Sequence, residues 1–163
     1  MQKVFVIIEK DLENIDKELD DIIKNDPRLK EIYELSTSVP GIGKITALSL
    51  ICYTNEFNSY HTGKQLACYC GVAPFEHSSG SSVRGKTRVS HMANKPLKRL
   101  LYLGAMAAIK SNGELKAYYV RKVSEGKNKM SVLNAIRNKM VLRLTAVIKR
   151  GTPYQQNLCG VVC

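Results

Sequence analysis

A serine-rich loop followed by dense positive charge is the part of this sequence best suited to chemistry. Four serines surround one glycine between Ser78 and Ser82, and the stretch from Pro74 to Arg99 has no acidic residue after Glu76. Guanidinium and ammonium groups stabilise the charge on a phosphorus atom under attack, and arginine binds two phosphate oxygens at once. The loop therefore predicts a surface that binds a polyanion. The basic residues are Arg84, Lys86, Arg88, Lys95, Lys98 and Arg99.

The residues alone leave open whether a serine of this loop attacks phosphorus. A serine hydroxyl is a poor nucleophile unless another group removes its proton or stabilises its product. Ser79-Gly80 stands in no G-x-S-x-G pattern, so acyl transfer is not indicated, whereas His77 and His91 could carry a proton in phosphoryl transfer. On the residues alone, a serine-rich basic loop is more often a passive phosphate-binding loop.

A glycine-containing turn, Val39 to Lys44, connects two predicted helices. Gly41 and Gly43 permit a tight turn, and the helix that follows directs its free N–H groups and the positive end of its dipole outward. A backbone phosphate can bind there, with Lys44 beside it and Ile42 packed inward. The pattern resembles a helix-hairpin-helix motif, which contacts the sugar-phosphate backbone without reading bases. The alternative is an ordinary glycine-rich helix connection.

Charge is distributed unevenly along the 163 residues, whose net charge is +11. Residues 1–40 contain six Lys and Arg against ten Asp and Glu, and residues 41–163 contain nineteen against four. The basic body indicates a nucleic-acid partner. No stretch has the roughly 18 uninterrupted apolar residues of a membrane span, and the N-terminus does not resemble a signal peptide, so we expect no membrane partner and a cytoplasmic, nucleoid-associated location.

Five cysteines do not form a metal-binding pattern. Cys68 and Cys70 lack a second pair at zinc-site spacing, and the total is odd. We therefore predict no metal or other cofactor in this chain. Cys52, Cys68 and Cys70 are expected as reduced thiols in the core, with Cys159 and Cys163 in a tail.

The first 25 residues have the spacing of a coiled coil. Apolar residues recur at Ile8, Leu12, Ile15, Leu19 and Ile22, in alternating steps of four and three. This seam predicts a homo-oligomer, most simply a dimer through residues 4–23. The alternative is a helical hairpin within one chain, since the helix should break at 25–27 and an apolar face resumes beyond it.

The remaining pattern predicts a mostly α protein: a helical domain that contains the helix-hairpin-helix motif and follows a coiled-coil-like helix. We predict a coiled-coil or helical-hairpin segment over 1–35, a DNA-binding domain over 36–150 and a tail over 151–163. A short β-hairpin near 82–90 should turn at Gly85. Asn94, followed by Pro96, should cap a long helix.

Four further basic residues, Lys127, Lys129, Arg137 and Arg143, predict a second basic strip. DNA or RNA could bind it, and a solvated helix face is the alternative. Aromatic residues are sparse on the basic stretches, which gives little support for stacking unpaired bases.

The order of short motifs resembles one family over about residues 36–150: the C-terminal domain of the DEDD–serine insertion-sequence transposases, the bridge-RNA-guided recombinases. The first motifs are Ser38-Val39-Pro40-Gly41-Ile42-Gly43 with Thr46-Ala47, followed by Glu56-Phe57 and by Gln65-Leu66-Ala67-Cys68-Tyr69-Cys70-Gly71-Val72-Ala73-Pro74. The serine loop then contributes Ser79-Gly80-Ser81, Arg84-Gly85 and Arg88-Val89-Ser90. The last motifs are Asn94, Leu97-Lys98-Arg99-Leu100-Leu101 and Ala105-Met106-Ala107-Ala108.

The resemblance implies a function in DNA transposition or recombination. It implies that Ser79 is the nucleophile that forms a covalent phosphoserine link to DNA. It also implies a RuvC-like nuclease domain that holds Mg²⁺ through four carboxylates, absent from this chain, and a guide RNA as a further partner. On this expectation the chain alone binds DNA without completing strand exchange. The alternative is a non-catalytic helix-hairpin-helix module that binds DNA and dimerises.

Overall fold

The computed structural model describes residues 2–75, 93–111 and 113–155, and between them the backbone of 78–79, 83–84 and 88–89. Seven helices lie within these ranges, in agreement with the predicted mostly α fold. They are α1 (Gln2–Asn25), α2 (Pro27–Thr37), α3 (Lys44–Thr54), α4 (Gly63–Tyr69), α5 (Lys95–Lys110), α6 (Glu114–Ser124) and α7 (Lys129–Arg150).

The long helix α7 is the centre of the fold. It packs against α2, α4, α5 and α6. Its apolar residues recur at three- and four-residue steps, so one stripe faces the neighbouring helices. Ile136, Met140 and Leu144 on this stripe are fully buried, and they meet Leu97 and Leu101 of α5 in the same core.

Local sequence sets the ends of the helices. α1 stops at Asn25 and α2 begins at Pro27, as predicted, because the Asp26 side chain accepts hydrogen bonds from the backbone N–H groups of Arg28 and Leu29. The predicted cap of α5 is also confirmed: the Asn94 side chain accepts from Leu97 N–H, with proline in the first turn. These short-range bonds need no distant partner, which is why the sequence predicts them.

Helix α1 leaves the helical body along most of its length. It contacts α2. Of its side chains that the structure describes, from Val4 onward, Ile23 is the one that is buried. Ile8, Leu12 and Ile15 of the predicted seam are between 49% and 58% exposed. The intramolecular pairing with α2 therefore covers the end of α1 near Ile23 and half-buries Leu19, and it leaves Ile8, Leu12 and Ile15 of the seam exposed.

The predicted β structure exists, but its pairing differs from the prediction. β3 (Val83–Arg84) pairs with β2 (Ser78–Ser79), and β4 (Arg88–Val89) pairs with β1 (Pro74–Phe75), both antiparallel. The chain thus reverses between residues 79 and 83 rather than at Gly85. We call residues 74–89 the serine ribbon. Two-residue strands carry too little pattern to specify their register, because pairing depends on both strands together.

Of the three cysteines predicted in the core, Cys70 is buried and Cys68 is half-buried, whereas Cys52 is exposed rather than in the core. Burial raises the pKa of the Cys70 thiol to about 12.

In the segment after α7, Tyr154 N–H donates to the Ser38 hydroxyl over 2.8 Å, so residues up to 155 return to the turn before α3. The division at 35/36 and 150/151 stays a prediction; α2 runs across its first boundary. No helix among the described residues is long and apolar enough to cross a membrane.

Candidate nucleic-acid interface

The two ends of the serine ribbon meet at one junction, which we call the ribbon root: Tyr69, Gly71, Ala93 and Asn94. Asn94 N–H donates to the Tyr69 carbonyl, and the Asn94 side-chain amide donates to the Tyr69 hydroxyl, each over 2.9 Å. Gly71 has φ +65°, and a Cβ there would lie 2.3 Å from the Cβ of Ala93. This close approach joins the end of α4 to the start of α5 and fixes where the ribbon leaves the body.

Ser79, the predicted nucleophile, lies on β2 opposite Val83, and Arg84 lies opposite the neighbouring Ser78. Arg88 lies opposite Phe75 nearer the root. The structure describes the backbone of Ser79, Arg84 and Arg88. Their side chains lie outside the described part, as do Lys86, His77 and His91. The backbone register therefore brings the positions of Ser79 and Arg84 into neighbouring pairs of one ribbon.

The start of α5 brings the other predicted cations to the ribbon root. Lys95 and Arg99 are exposed and Lys98 is half-buried. The first turn of this helix holds no acidic residue. Cations near a helix N-terminus are repelled by the positive end of the helix dipole, so local stability does not favour them there. An anion bound at this end would offset that repulsion.

The turn before α3 packs its apolar residues inward, whereas its assignment as a helix-hairpin-helix motif stays a prediction. Val39 and Ile42 are 1% and 4% exposed, and Ile42 N–H donates to the Val39 carbonyl over 3.0 Å, so the inward packing predicted for Ile42 is confirmed. Gly41, with φ +89°, lies against Gly104 of α5. Gly43 is exposed, and no heavy atom lies within 4 Å of the position where its Cβ would be. Contact between this turn and DNA stays a prediction.

Lys44, by contrast, already has anionic partners. Its ammonium lies 2.7 Å from a carboxylate oxygen of Asp20 and 3.3 Å from one of Asp16, both on α1. The hydrogen bond to Asp20, reinforced by Asp16, raises the pKa of Lys44 above its ordinary value. Two carboxylates therefore stand beside the helix end proposed to receive a phosphate. Sequence spacing does not indicate this contact, because the partners are more than 20 residues apart.

The predicted second basic strip does not exist as one surface. Lys127 and Lys129 are exposed, but Arg143 is paired with Glu114 at 2.6 Å and Arg137 is buried. Position 137 lies four residues after Leu133 and three before Met140, so it falls on the buried stripe of α7. The spacing of the apolar residues could have revealed this.

Arg137 is a buried arginine, whereas the sequence predicts it on an exposed basic strip. It is 8% exposed, and one of its terminal nitrogens donates to the Asn134 side chain over 2.9 Å. Asn134 in turn donates to the carbonyl of Val72, which is beside the ribbon root. The guanidinium carbon lies 5.7 Å from the centre of the Tyr102 ring. Burial lowers the pKa of Arg137 from its ordinary value, although arginine stays charged in proteins.

Metal binding is not indicated by the described side chains. Among the residues of the described ranges, no three His, Cys, Asp or Glu side chains group in a way that could hold a metal ion. These residues therefore do not fit the Mg²⁺ site that the resemblance implies for a nuclease domain.

Comparison with known proteins identifies the family. A family model described as "Transposase IS116/IS110/IS902 family" matches residues 33–120. The chain is 32% identical over 133 residues to an IS110 insertion-element protein of Streptomyces coelicolor, covering 80% of this chain and 33% of that protein. It is 29% identical over 147 residues to the pilin gene-inverting protein of Moraxella bovis, covering 88% and 45%.

A third relative is the transposase for insertion sequence element IS1111A of Coxiella burnetii, 26% identical over 166 residues, covering 98% of this chain and 44% of that protein. The chain thus spans less than half the length of these curated relatives. Because the family model covers more than half of its residues, this chain belongs to the IS116/IS110/IS902 family of transposases.

Proposed function

We propose that this chain binds DNA during transposition or recombination and presents Ser79 as the nucleophile. Family membership supports DNA as the substrate, as do relatives named as a transposase and as a pilin gene-inverting protein. The observation that carries the proposal is the position of the serine ribbon, which leaves the body at the basic start of α5, beside Lys95, Lys98 and Arg99.

The proposed step is an in-line displacement at phosphorus. The Ser79 oxygen forms a bond to phosphorus as its hydroxyl loses a proton, the bond from phosphorus to one sugar oxygen breaks, and that oxygen leaves and takes up a proton. Arg84, Lys86 and Arg88 neutralise the charge on the phosphoryl oxygens. Guanidinium groups suit this because each can hold two oxygens in a fixed plane.

A second group of residues holds DNA that flanks the reacting phosphate. Gly41 and Gly43 expose backbone N–H groups at the start of α3, where a phosphate accepts hydrogen bonds without any base being read. Lys44 joins this contact once its ammonium is shared with the phosphate. Lys95, Lys98 and Arg99 bind the backbone nearer the ribbon root.

We extend this proposal to two features that the resemblance implies, a metal-dependent nuclease activity and a guide RNA. The length of the relatives supports a further part beyond this chain, because each relative has more than half of its residues without a counterpart here. In this proposal the nuclease part supplies Mg²⁺ chemistry, and the present chain supplies the serine and the phosphate contacts.

The test is a search for a covalent protein–DNA adduct. The chain is joined to the nuclease part that the family resemblance implies, incubated with cognate DNA and resolved under denaturing conditions. We expect an adduct from the unmodified protein and from Ser78→Ala, the matched control on the same strand, and none from Ser79→Ala. Equal adduct from all three proteins would remove Ser79 from the mechanism.

The second candidate is a non-catalytic module that binds DNA and dimerises. The exposed apolar face of α1 favours dimerisation, since residues such as Phe5 and Leu12 are 65% and 58% exposed. A second copy would cover them as a coiled coil. This candidate predicts salt-dependent DNA binding without any adduct, so the experiment above separates the two.

A further inference from the structure

Arg137 carries a buried positive charge that the described part of the protein does not neutralise. Its residue surface is 8% exposed, and its Nε–H has no hydrogen-bond partner although the atom is fully buried. No carboxylate of the described ranges lies within ion-pair distance. Its hydrogen bond to Asn134 and its position over the Tyr102 ring involve neutral groups. A buried charge without a counter-ion is destabilising, so an anion bound to the free Nε–H would stabilise this arrangement.

The sequence restricts where that anion can come from. After residue 57 the chain contains three acidic residues, Glu76, Glu114 and Glu125. Glu114 is paired with Arg143 at 2.6 Å, and Glu125 is paired with Lys122 at 2.6 Å. Glu76 lies outside the described residues. The remaining anions are Glu76, the C-terminal carboxylate, which also lies outside the described residues, and an anion that the chain does not supply.

The surroundings of Arg137 favour a nucleic-acid phosphate. Asn134 links the guanidinium to the Val72 carbonyl, one residue after Gly71 of the ribbon root. A Cβ on Gly71 would lie 3.7 Å from the ammonium of Lys98, so a second cation borders the same loop. Tyr102 follows Lys98 by one helical turn on α5. Both cations border the loop that leads into the serine ribbon, where the proposed function places DNA, and a phosphodiester has two free oxygens that can bind them.

We propose that Arg137, together with Lys98, binds a DNA phosphate at the ribbon root. The proposal rests on the proposed function, because it assumes that DNA follows the serine ribbon. It makes Arg137 a positioning residue: it fixes the backbone beside the ribbon and so sets where the strand meets Ser79. Asn134 and Tyr102, which are both neutral, then hold the planar guanidinium in one orientation.

The first test needs no DNA. Thermal unfolding of the 163-residue chain is measured in sodium chloride and in inorganic phosphate at equal ionic strength, for the unmodified chain, Arg137→Met and Arg28→Met. Arg28 is the matched control, an exposed arginine paired with Glu56. We expect phosphate to raise the melting temperature of the unmodified chain and of Arg28→Met by more than that of Arg137→Met, because only the first two keep the Arg137 site and a ligand stabilises the state that binds it.

Two outcomes of this test would overturn the proposal. One is an equal response of all three proteins to phosphate. The other is that Arg137→Met and Glu76→Gln each lose stability to the same extent in chloride, which would show an internal ion pair. If Arg137→Met does not fold, the side-chain Nε–H resonance of Arg137 in the unmodified chain gives the answer: it must shift on titration with inorganic phosphate, and its failure to shift contradicts the proposal.

The second test separates free phosphate from DNA. Affinity for a labelled duplex should fall about tenfold or more for Arg137→Met relative to Arg28→Met, and the slope of log affinity against log salt should decrease by about 0.9. An unchanged slope together with a response to inorganic phosphate would mean a site for free phosphate and would refute the DNA assignment. Absence of DNA binding by the unmodified chain would instead refute the proposed function and leave the phosphate result standing.

Discussion

Two glycines decide how closely the turn before α3 approaches α5. A Cβ on Gly104 would lie 2.1 Å from the carbonyl oxygen of Gly41, and a Cβ on Gly41 would lie 2.8 Å from the carbonyl oxygen of Gly104. Both obstacles are backbone atoms, so no side-chain rotation relieves them. Gly41 also has φ +89°, a conformation that other residues rarely adopt. The exposed surface of the turn therefore depends on a contact made on its opposite side.

Replacing Gly104 with alanine should destabilise the protein. Overpacking in a core costs about 1–3 kcal/mol, and a backbone clash belongs at the upper end of that range, which exceeds the roughly 1 kcal/mol that alanine gains over glycine within a helix. Gly43→Ala is the control, since nothing lies within 4 Å of its Cβ position. We expect denaturant unfolding to show a net loss of about 2 kcal/mol for Gly104→Ala. Equal stability of the two variants would contradict the observed close approach.

Helix α1 also influences electrostatically the turn before α3 that we propose to bind DNA. Asp16 and Asp20 hold the ammonium of Lys44, whose side chain is 32% exposed. Exposed ion pairs contribute little to stability, so this contact matters more for what can approach α3 than for folding. A DNA phosphate must share Lys44 with two carboxylates that repel it.

Removing those carboxylates should strengthen DNA binding. We expect Asp16→Asn combined with Asp20→Asn to increase affinity about two- to fivefold at low salt, with the gain shrinking as salt screens the repulsion. The control combines Asp11→Asn with Asp21→Asn, which removes the same charge from other exposed positions of α1. Fluorescence anisotropy with a labelled duplex measures both. An identical gain in both double variants would show that only the total charge of α1 matters.

The seam of α1 makes a separate prediction about assembly. A lysine in a coiled-coil core places a charge where apolar side chains would meet, so Ile15→Lys should shift the protein from dimer to monomer. Asn14→Lys is the control, because it adds the same charge at the neighbouring exposed position outside the seam. Light scattering during size-exclusion chromatography reports the mass. A monomeric unmodified chain, or dimers in both variants, would reject residues 4–23 as the dimer contact.

The whole molecule separates its charges. α1 and α2 hold most of the carboxylates, and the basic residues dominate from the turn before α3 onward. In the proposed function, such a distribution orients the basic part of the chain toward DNA and limits contact with the acidic end.

DNA affinity should depend steeply on salt. Contact with about four phosphates would weaken binding roughly a hundredfold between 50 and 200 mM monovalent salt, because each contact releases condensed counterions. The slope of log affinity against log salt should be shallower when Lys95, Lys98 and Arg99 are replaced together by glutamine. It should be unchanged when Lys24 alone is replaced by glutamine. Titrations at several salt concentrations measure it. An affinity that does not vary with salt would exclude the basic body as the binding surface.

The sequence by itself determined the features that depend on neighbours in the chain. It predicted the helical class, the break at Asp26, the cap at Asn94 and the inward packing of Ile42, because each follows from nearby hydrogen bonds or from the spacing of apolar residues. Its motifs also indicated the family, which comparison confirmed.

Tertiary structure decided what depends on residues far apart in the chain. The strands of the serine ribbon pair outward from the 79–83 reversal, Lys44 meets carboxylates of α1, and Arg137 lies inside between α5 and the ribbon root. Register, ion pairing and burial of a charge each require two segments to be placed together. Local spacing contains no information about that placement, so these parts of the site became visible only in the folded chain.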